Sequence, residues 1–325
     1  MTDSNKDIRK AVAILRKGGL VAFPTETVYG LGADAANPAA VTKIFAAKRR
    51  PADHPLIVHL ADASALNQWG QDLPRGAYLL AEKFWPGPLT LIVERAPQVH
   101  DVVTGGQDTV ALRVPAHPVA LALLRAFGGA IAAPSANKFG RISPTTAQHV
   151  RDELGDEVSL VLDGGACDVG IESTIVDMSG GQPSILRPGH VRAEQIELVL
   201  GVKLNAPAHD APRVSGTLAS HYAPNTPLTL VHPDEVDAVV KQRAPEGPVA
   251  VLARGPRPSH SRAALWQVAP TTAADYAQHL YALLRRADEA GCKSIVVEDV
   301  PRLPEWLAVR DRLCRAASEV KARNR

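Results

Sequence analysis

The stretch Gly18-Gly19-Leu20-Val21-Ala22-Phe23-Pro24-Thr25-Glu26-Thr27-Val28-Tyr29-Gly30-Leu31-Gly32 decides how the chain is read. Before it, Ile8, Val12, Ile14 and Leu15 recur at helical spacing over 7–17, and the two glycines stop that helix. Leu20 to Phe23 is a short apolar run ended by Pro24, the pattern of a buried strand. Hydroxyls, one carboxylate and two glycines follow directly. They stand beyond the strand's carboxyl end, where α/β folds open their pockets. The same residues also suit a turn closed by hydroxyl caps. Gly30-Leu31-Gly32 lacks the third glycine of a dinucleotide fingerprint.

Working outward, helical patterns fall over 38–48, 74–84, 118–127, 145–154 and 193–200, and strand patterns over 56–60, 89–93, 110–114, 130–133, 159–162, 174–178 and 183–186. Asn37 reads as the N-cap of 38–48, with Pro38 at its first position. Strands and helices intermix without strict alternation, which predicts an α/β domain with a mixed sheet over 1–203. Residues 204–227, rich in Pro, Ala, His and Ser, lack periodicity and read as a linker. Tyr222 is an odd aromatic there, suited to packing on a domain or stacking on a ligand ring. Beyond it, strands over 228–231, 249–253, 265–268 and 294–297 alternate with helices over 234–242, 272–290 and 305–320. This predicts a smaller Rossmann-like α/β domain over 228–325.

The 325 residues are 46% hydrophobic and 22% charged, ordinary globular usage that excludes disordered and fibrous classes. Residues 1–225 hold 21 basic and 22 acidic side chains and the remainder 15 and 12, so charge alone argues for no nucleic-acid coat. Three scattered cysteines, Cys167, Cys292 and Cys314, suit neither a disulfide framework nor a zinc site. With no long apolar run and no leader-like N-terminus, the expectation is a cytoplasmic protein.

Searches for nucleophile elbows, metal signatures and the standard phosphate loop are empty. Cations at element ends remain. Lys48-Arg49-Arg50 closes a helix, as a dipole-stabilising cap or as a polyphosphate clamp. Arg113 and Arg187 end apolar strands and need either a carboxylate partner or an anionic ligand. Ser135 and Asn137 follow a strand, and Ser143 to Thr146 opens a helix, as caps or as phosphate contacts. His54 and His59 flank one strand and read first as structural. This composition suits an enzyme that uses a nucleotide or phosphate.

Eight segments then resemble the YrdC/Sua5 family in order. They are PTETVYGLG at 24–32, KRRPADHPL at 48–56, ALRVP at 111–115, APSAN at 133–137, SPTTA at 143–147, ESTIVD at 172–177, ILRPG at 185–189 and SHYAP at 220–224. The resemblance implies a YrdC-like catalytic domain and a Sua5-type C-terminal domain joined by a lid-like linker. It implies a nucleotidyltransferase that converts L-threonine, bicarbonate or CO2, and ATP with Mg²⁺ into L-threonylcarbamoyladenylate and pyrophosphate. That product serves threonylcarbamoylation of tRNA position 37, completed by a separate tRNA threonylcarbamoyl-transferase complex. Thr27, His59, Arg113 and Ser173 match the family's threonine-binding positions. Lys48, Arg50, His54, Thr109, Ser135, Asn137, Ser143, Arg187 and Tyr222 match its ATP-binding positions. No protein nucleophile is implied, with Lys48 and Arg50 the side chains placed to assist. No metal ligands from the protein are implied either.

Two residues depart from the family pattern. Arg49 replaces a glycine and His54 an asparagine, so ATP affinity is expected to vary near pH 6. The alternative reading is a YrdC-like module that grips double-stranded RNA or tRNA. Convergence of Lys48, Arg50, Arg113 and Arg187 would favour the enzyme.

Overall fold

The computed structural model describes residues 3–317, and two compact units separate in it. The first takes the chain up to Phe139 together with Ser143–Thr217, and the second takes Gly140–Ile142 and the chain from Leu218 on.

The first unit runs α1 (Asp3–Arg16), β1 (Val21–Phe23), β2 (Gly30–Asp34), α2 (Pro38–Lys48), β3 (Ile57–His59), α3 (Leu66–Trp69), α4 (Arg75–Phe84), β4 (Leu89–Glu94) and α5 (Asp101–Thr104). It continues with β5 (Thr109–Arg113), α6 (Pro118–Phe127), β6 (Ile131–Ala132), α7 (Ala147–Leu154), β7 (Leu160–Val161), β8 (Thr174–Asp177), β9 (Ser184–Arg187) and α8 (Ala193–Leu200). Its nine strands form one mixed sheet in the order β7-β1-β2-β6-β3-β5-β4-β8-β9. β1 and β7, β3 and β5, and β4 and β8 pair in parallel, and the other neighbours are antiparallel.

Side chains alternate across a strand, so each strand feeds both faces. One face carries Leu31, Val58, Leu91, Leu112 and Val176 into the main core, against Val41 and Ile44 of α2 and Leu80 of α4. The other face is covered in two different ways. Over β1, β6 and β7 it packs on α1 and α6 through Leu15, Leu123, Leu124 and Phe127. Over β3, β5, β4 and β8 it shows a narrow strip, Ile57, Ala111, Ile92 and Ile175, capped by Val214. The helices thus stop halfway across this face, and polar residues line what they leave.

Gly30–Asp34 is a strand, where the sequence suggested a pocket loop. A Cβ on Gly32 would lie 2.8 Å from Phe23 Cε1 and 2.7 Å from Ile131 Cγ2. The glycines make room for those two side chains, which hides the apolar alternation by which a strand is recognised.

α2 begins as expected: Asn37 accepts from the Ala40 N–H and Pro38 occupies the first position. It ends on Arg49, which is left-handed at φ 52°, ψ 43°. The N–H groups of Arg49 and Arg50 return to the carbonyls of Ala46 and Phe45, a helix-closing motif that favours glycine. A side chain in this conformation costs ~1–2 kcal/mol, partly offset because glycine is freer when unfolded. Arg49→Gly is therefore expected to stabilise the protein by about 0.5–1 kcal/mol. A urea midpoint that stays put or falls would contradict this.

The second unit runs β10 (Leu228–Val231), α9 (Val236–Arg243), β11 (Val249–Ala253), β12 (Leu265–Val268), α10 (Ala273–Glu289), β13 (Ser294–Glu298) and α11 (Leu307–Ala317). Its sheet, β10-β13-β11-β12, is parallel throughout, and β11 is buried along its whole length, as strands covered on both faces are. Of the helix expected over 305–320, residues 318–320 lie outside the described residues. Among the described residues no helix is long and apolar enough to cross a membrane.

Residues 204–227 form neither helix nor strand, yet they do not hang free. Val214 belongs to the first unit's apolar strip. Tyr222 is buried within the second, its ring stacked 5.7 Å from Tyr281 and 5.2 Å from the Arg312 guanidinium.

Candidate active site

Arg113 ends β5 and His59 ends β3, and the two are register partners across the parallel pair. Both face the half of the sheet that α1 and α6 leave uncovered. Arg113 is 4% exposed. Its Nη2 donates to Glu26 Oε1 at 2.6 Å and to Thr27 Oγ1 at 3.0 Å, and its Nε to the Gly87 carbonyl at 3.3 Å. Glu26 Oε2 accepts from the Ala116 N–H at 3.0 Å. Sequence left Arg113 between a structural partner and an anionic ligand, and the partner is present. The two hydrogens on Nη1 have no acceptor among the described residues, which leaves one edge of the fork for a ligand.

His59 packs edge-on against Phe23 at 5.8 Å, and its Nδ1 is buried without a hydrogen-bond partner. Burial, and then the Arg113 charge, push its pKa down from 6.5 to about 3. The ring is neutral at pH 7 and can donate or accept at the orphan nitrogen. Thr27 Oγ1 also contacts Thr25 Oγ1 at 2.8 Å, so the loop after β1 is tied together by hydroxyls.

Ser173 precedes β8. Its Oγ lies 2.7 Å from Thr90 Oγ1. Arg187 closes β9 and holds this turn, donating through Nε and Nη2 to the Ser173 carbonyl at 3.1 and 2.9 Å. Its Nη2 also reaches Ser173 Oγ at 3.2 Å, and Nη1 the Ser215 carbonyl at 2.8 Å. A Cβ on Gly189 would strike the Thr174 nitrogen at 2.4 Å, so the chain after Arg187 comes this close only as glycine. Ser143 donates to Glu172 Oε1 at 2.6 Å, both buried.

Lys48 is buried at the end of α2. Its Nζ donates to the Ser135 carbonyl at 2.6 Å and to the Asn137 carbonyl, which pins the turn after β6. Burial, then the neighbouring Arg50, holds its pKa well below the usual lysine value. Arg50 donates to the Pro55 carbonyl at 3.0 Å, touches Ser215 Oγ at 3.5 Å and lies 5.6 Å over the Phe139 ring.

His54 meets Phe139 from another side at 5.0 Å. The two histidines considered together from sequence thus have separate aromatic partners. Burial, then Arg50, lowers the His54 pKa below 6.5. The pH effect expected near pH 6 therefore moves lower. Relative to His54→Asn, the wild-type KM for ATP should fall in acid, at a pH lower than for an unperturbed histidine, because a protonated ring attracts phosphate. Superimposable pH profiles would contradict this.

Arg50, Ser215, Arg187, Ser173 and Thr90 thus form one continuous chain of contacts in the first unit. Glu172, directly before Ser173 in the same turn, accepts from Ser143. Thr109 starts β5, four residues from Arg113, so about 13 Å away along the strand. It lines the strip beside Val214 and Ser215. Within the second unit, Tyr222 lies against His221, Tyr281 and Arg312. Sequence reasoning passed over Glu26, Thr90 and Ser215. Glu26 was visible as the lone carboxylate among hydroxyls, whereas Thr90 and Ser215 carried no local signal.

Two family models divide the chain. The YrdC-type model, described as telomere recombination, matches residues 13–189, and the C-terminal domain of threonylcarbamoyl-AMP synthase matches 191–318. The chain is 39% identical over 322 residues to the threonylcarbamoyl-AMP synthase of Pyrococcus abyssi, covering 95% of this chain and 94% of that one. It is 40% identical over 338 residues to the Bacillus subtilis protein of the same name, covering 98% and 94%. The crystal structure of P. abyssi Sua5 complexed with L-threonine superposes with a TM-score of 0.89 at 38% identity, covering 95% of this chain and 94% of that one. With both family models matched in order and relatives aligned along nearly its whole length, the chain belongs to the YrdC/Sua5 family.

Proposed function

We propose that this protein is an L-threonylcarbamoyladenylate synthase, a nucleotidyltransferase acting on L-threonine, bicarbonate or CO2, and ATP. The observation that carries the reading is Arg113. It is a buried guanidinium anchored on one side by Glu26, Thr27 and the Gly87 carbonyl, with its Nη1 edge uncommitted. A fork presented this way suits an α-carboxylate.

The ammonium of threonine gives a proton to solvent, and the free amine adds to CO2 and sheds a second proton to solvent to form the carbamate, an oxygen of which attacks the α-phosphate of ATP as pyrophosphate leaves. No protein nucleophile enters, so the chain contributes position and charge. Arg113 holds the carboxylate. Thr27, Ser173 and neutral His59 offer hydrogen bonds to the amino acid. Lys48, Arg50 and Arg187 draw the phosphates, although each also holds a carbonyl of its own chain, and Ser135, Asn137, Ser143, His54 and Thr109 line the nucleotide's path. Mg²⁺ enters with ATP as part of the substrate, bridging its phosphate charges rather than resting on a dedicated protein site. The product carries an activated carbamoyl group, which a separate transferase complex passes to tRNA.

The test is pyrophosphate release with Mg²⁺-ATP, bicarbonate and one amino acid at a time, with the product's mass measured. Threonine-dependent release with a threonylcarbamoyl-adenylate mass is expected. Release with no amino acid, or none at all from folded protein, would sink the reading.

A further inference from the structure

The anchor of Arg113 carries more than orientation. Glu26 is 6% exposed, and its two oxygens each accept one hydrogen bond, from Arg113 and from the Ala116 N–H. A carboxylate has about four lone-pair sites, so acceptor capacity remains on both oxygens. His59, beside the pair, is neutral at pH 7. The groups in direct contact at this subsite thus sum to zero charge, with a cation and an anion 2.6 Å apart.

We infer that Glu26 is the specificity residue for the amino group of the substrate. Arg113 and Glu26 together read the zwitterion of an α-amino acid, carboxylate on one and ammonium on the other. This rests on the synthase reading above. A net-neutral subsite favours a net-neutral ligand. An α-amino acid carries its two charges on one carbon, side by side as the pair offers them. A 2-hydroxy acid brings only the anion. It would place a neutral hydroxyl where Glu26 stands and leave the carboxylate without a cationic partner from the ligand.

The experiment compares binding of L-threonine and of its 2-hydroxy analogue, 2,3-dihydroxybutanoate, by titration calorimetry at pH 7 in wild type and Glu26→Gln. Glutamine keeps the volume and an oxygen for the Ala116 N–H. Wild type is expected to prefer threonine by ~30-fold or more, the scale of a buried charge contact. In Glu26→Gln the preference should shrink to within about threefold, mainly through weaker threonine binding. ATP affinity should stay within about twofold, because Glu26 touches none of the phosphate-side cations. Equal weakening of both ligands would reduce Glu26 to a prop for Arg113 and overturn the inference, as would an unchanged preference. Should Glu26→Gln not fold, the wild type decides alone, because equal affinity for the two ligands overturns it. Wild type that binds neither ligand removes the synthase reading itself, and this inference with it.

Discussion

Arg113→Ala is expected to abolish threonine-dependent turnover and to cost the folded protein about 3–5 kcal/mol, the penalty for breaking a buried ion pair from one side. Both effects have one cause. The substitution removes the fork that meets the substrate carboxylate, and it strands Glu26, buried at 6% exposure, without its cation. A loss of that size is a large share of the ~5–15 kcal/mol that usually holds a domain folded. Arg113→Lys is therefore the informative companion. It keeps a charge near Glu26 but cannot reproduce the contacts to Thr27 and the Gly87 carbonyl while presenting a free two-pronged edge. For Arg113→Lys, kcat/KM for threonine should fall by about 30-fold to 1,000-fold, equivalent to ~2–4 kcal/mol, with the KM for ATP nearly unchanged. The measurement is pyrophosphate release at saturating ATP across a threonine series, with urea denaturation run in parallel. A folded Arg113→Lys protein with wild-type threonine dependence would remove Arg113 from the substrate site.

Stability should fall steeply in mild acid because of His59. Unfolded, this histidine takes up a proton near pH 6.5, whereas folded it does so only near 3. Between those values the unfolded chain binds more protons. The contribution is therefore fully present above 6.5 and is lost as pH falls toward 3. The slope is ~1.4 kcal/mol per pH unit, so roughly 2 kcal/mol disappears between pH 6.5 and 5, with a ceiling of about 5 kcal/mol by pH 3. Carboxylates elsewhere add their own acid dependence, so the variant His59→Gln serves as reference. Urea unfolding at pH 7.5, 6.5 and 5.5 should show the wild type losing stability faster than the variant. Parallel curves would mean that the ring is protonated in the fold, and the neutral ring assigned to the threonine subsite would go with it.

The two proposals interlock at one strand pair. His59 and Arg113 sit at matching positions of β3 and β5, and the Arg113 charge is the second cause that keeps His59 neutral. Removing the Arg113 charge should therefore ease His59 protonation. The acid sensitivity of Arg113→Gln should begin from a less depressed histidine and be correspondingly shallower.

Local pattern was enough for much of the fold. The apolar runs at 228–231, 249–253 and 265–268 are strands over those same residues, and Asn37-Pro38 starts α2. A continuous apolar run or a capping side chain acts within a few residues, so it is visible in the chain itself. β2 was not legible, because its glycines answer to Phe23 and Ile131, the latter about a hundred residues away in the chain. Arg49 was read as a departure from a family glycine, but its left-handed backbone appears only once the helix end is built.

The α/β class, the ordered motifs, and the set of cations and hydroxyls at element ends are legible from residue order alone. Those follow from periodicity, turn chemistry and residue type, which are local. How the set divides depends on the assembled fold. It pairs Arg113 with Glu26 and gives Arg187 to Ser173 and Ser215. It spends Lys48 partly on its own backbone and buries Tyr222 in the second unit. A buried charge takes whichever partner the sheet order brings within reach. That order joins β3 to β5 and β4 to β8 across long stretches of chain, so no local reading can supply it.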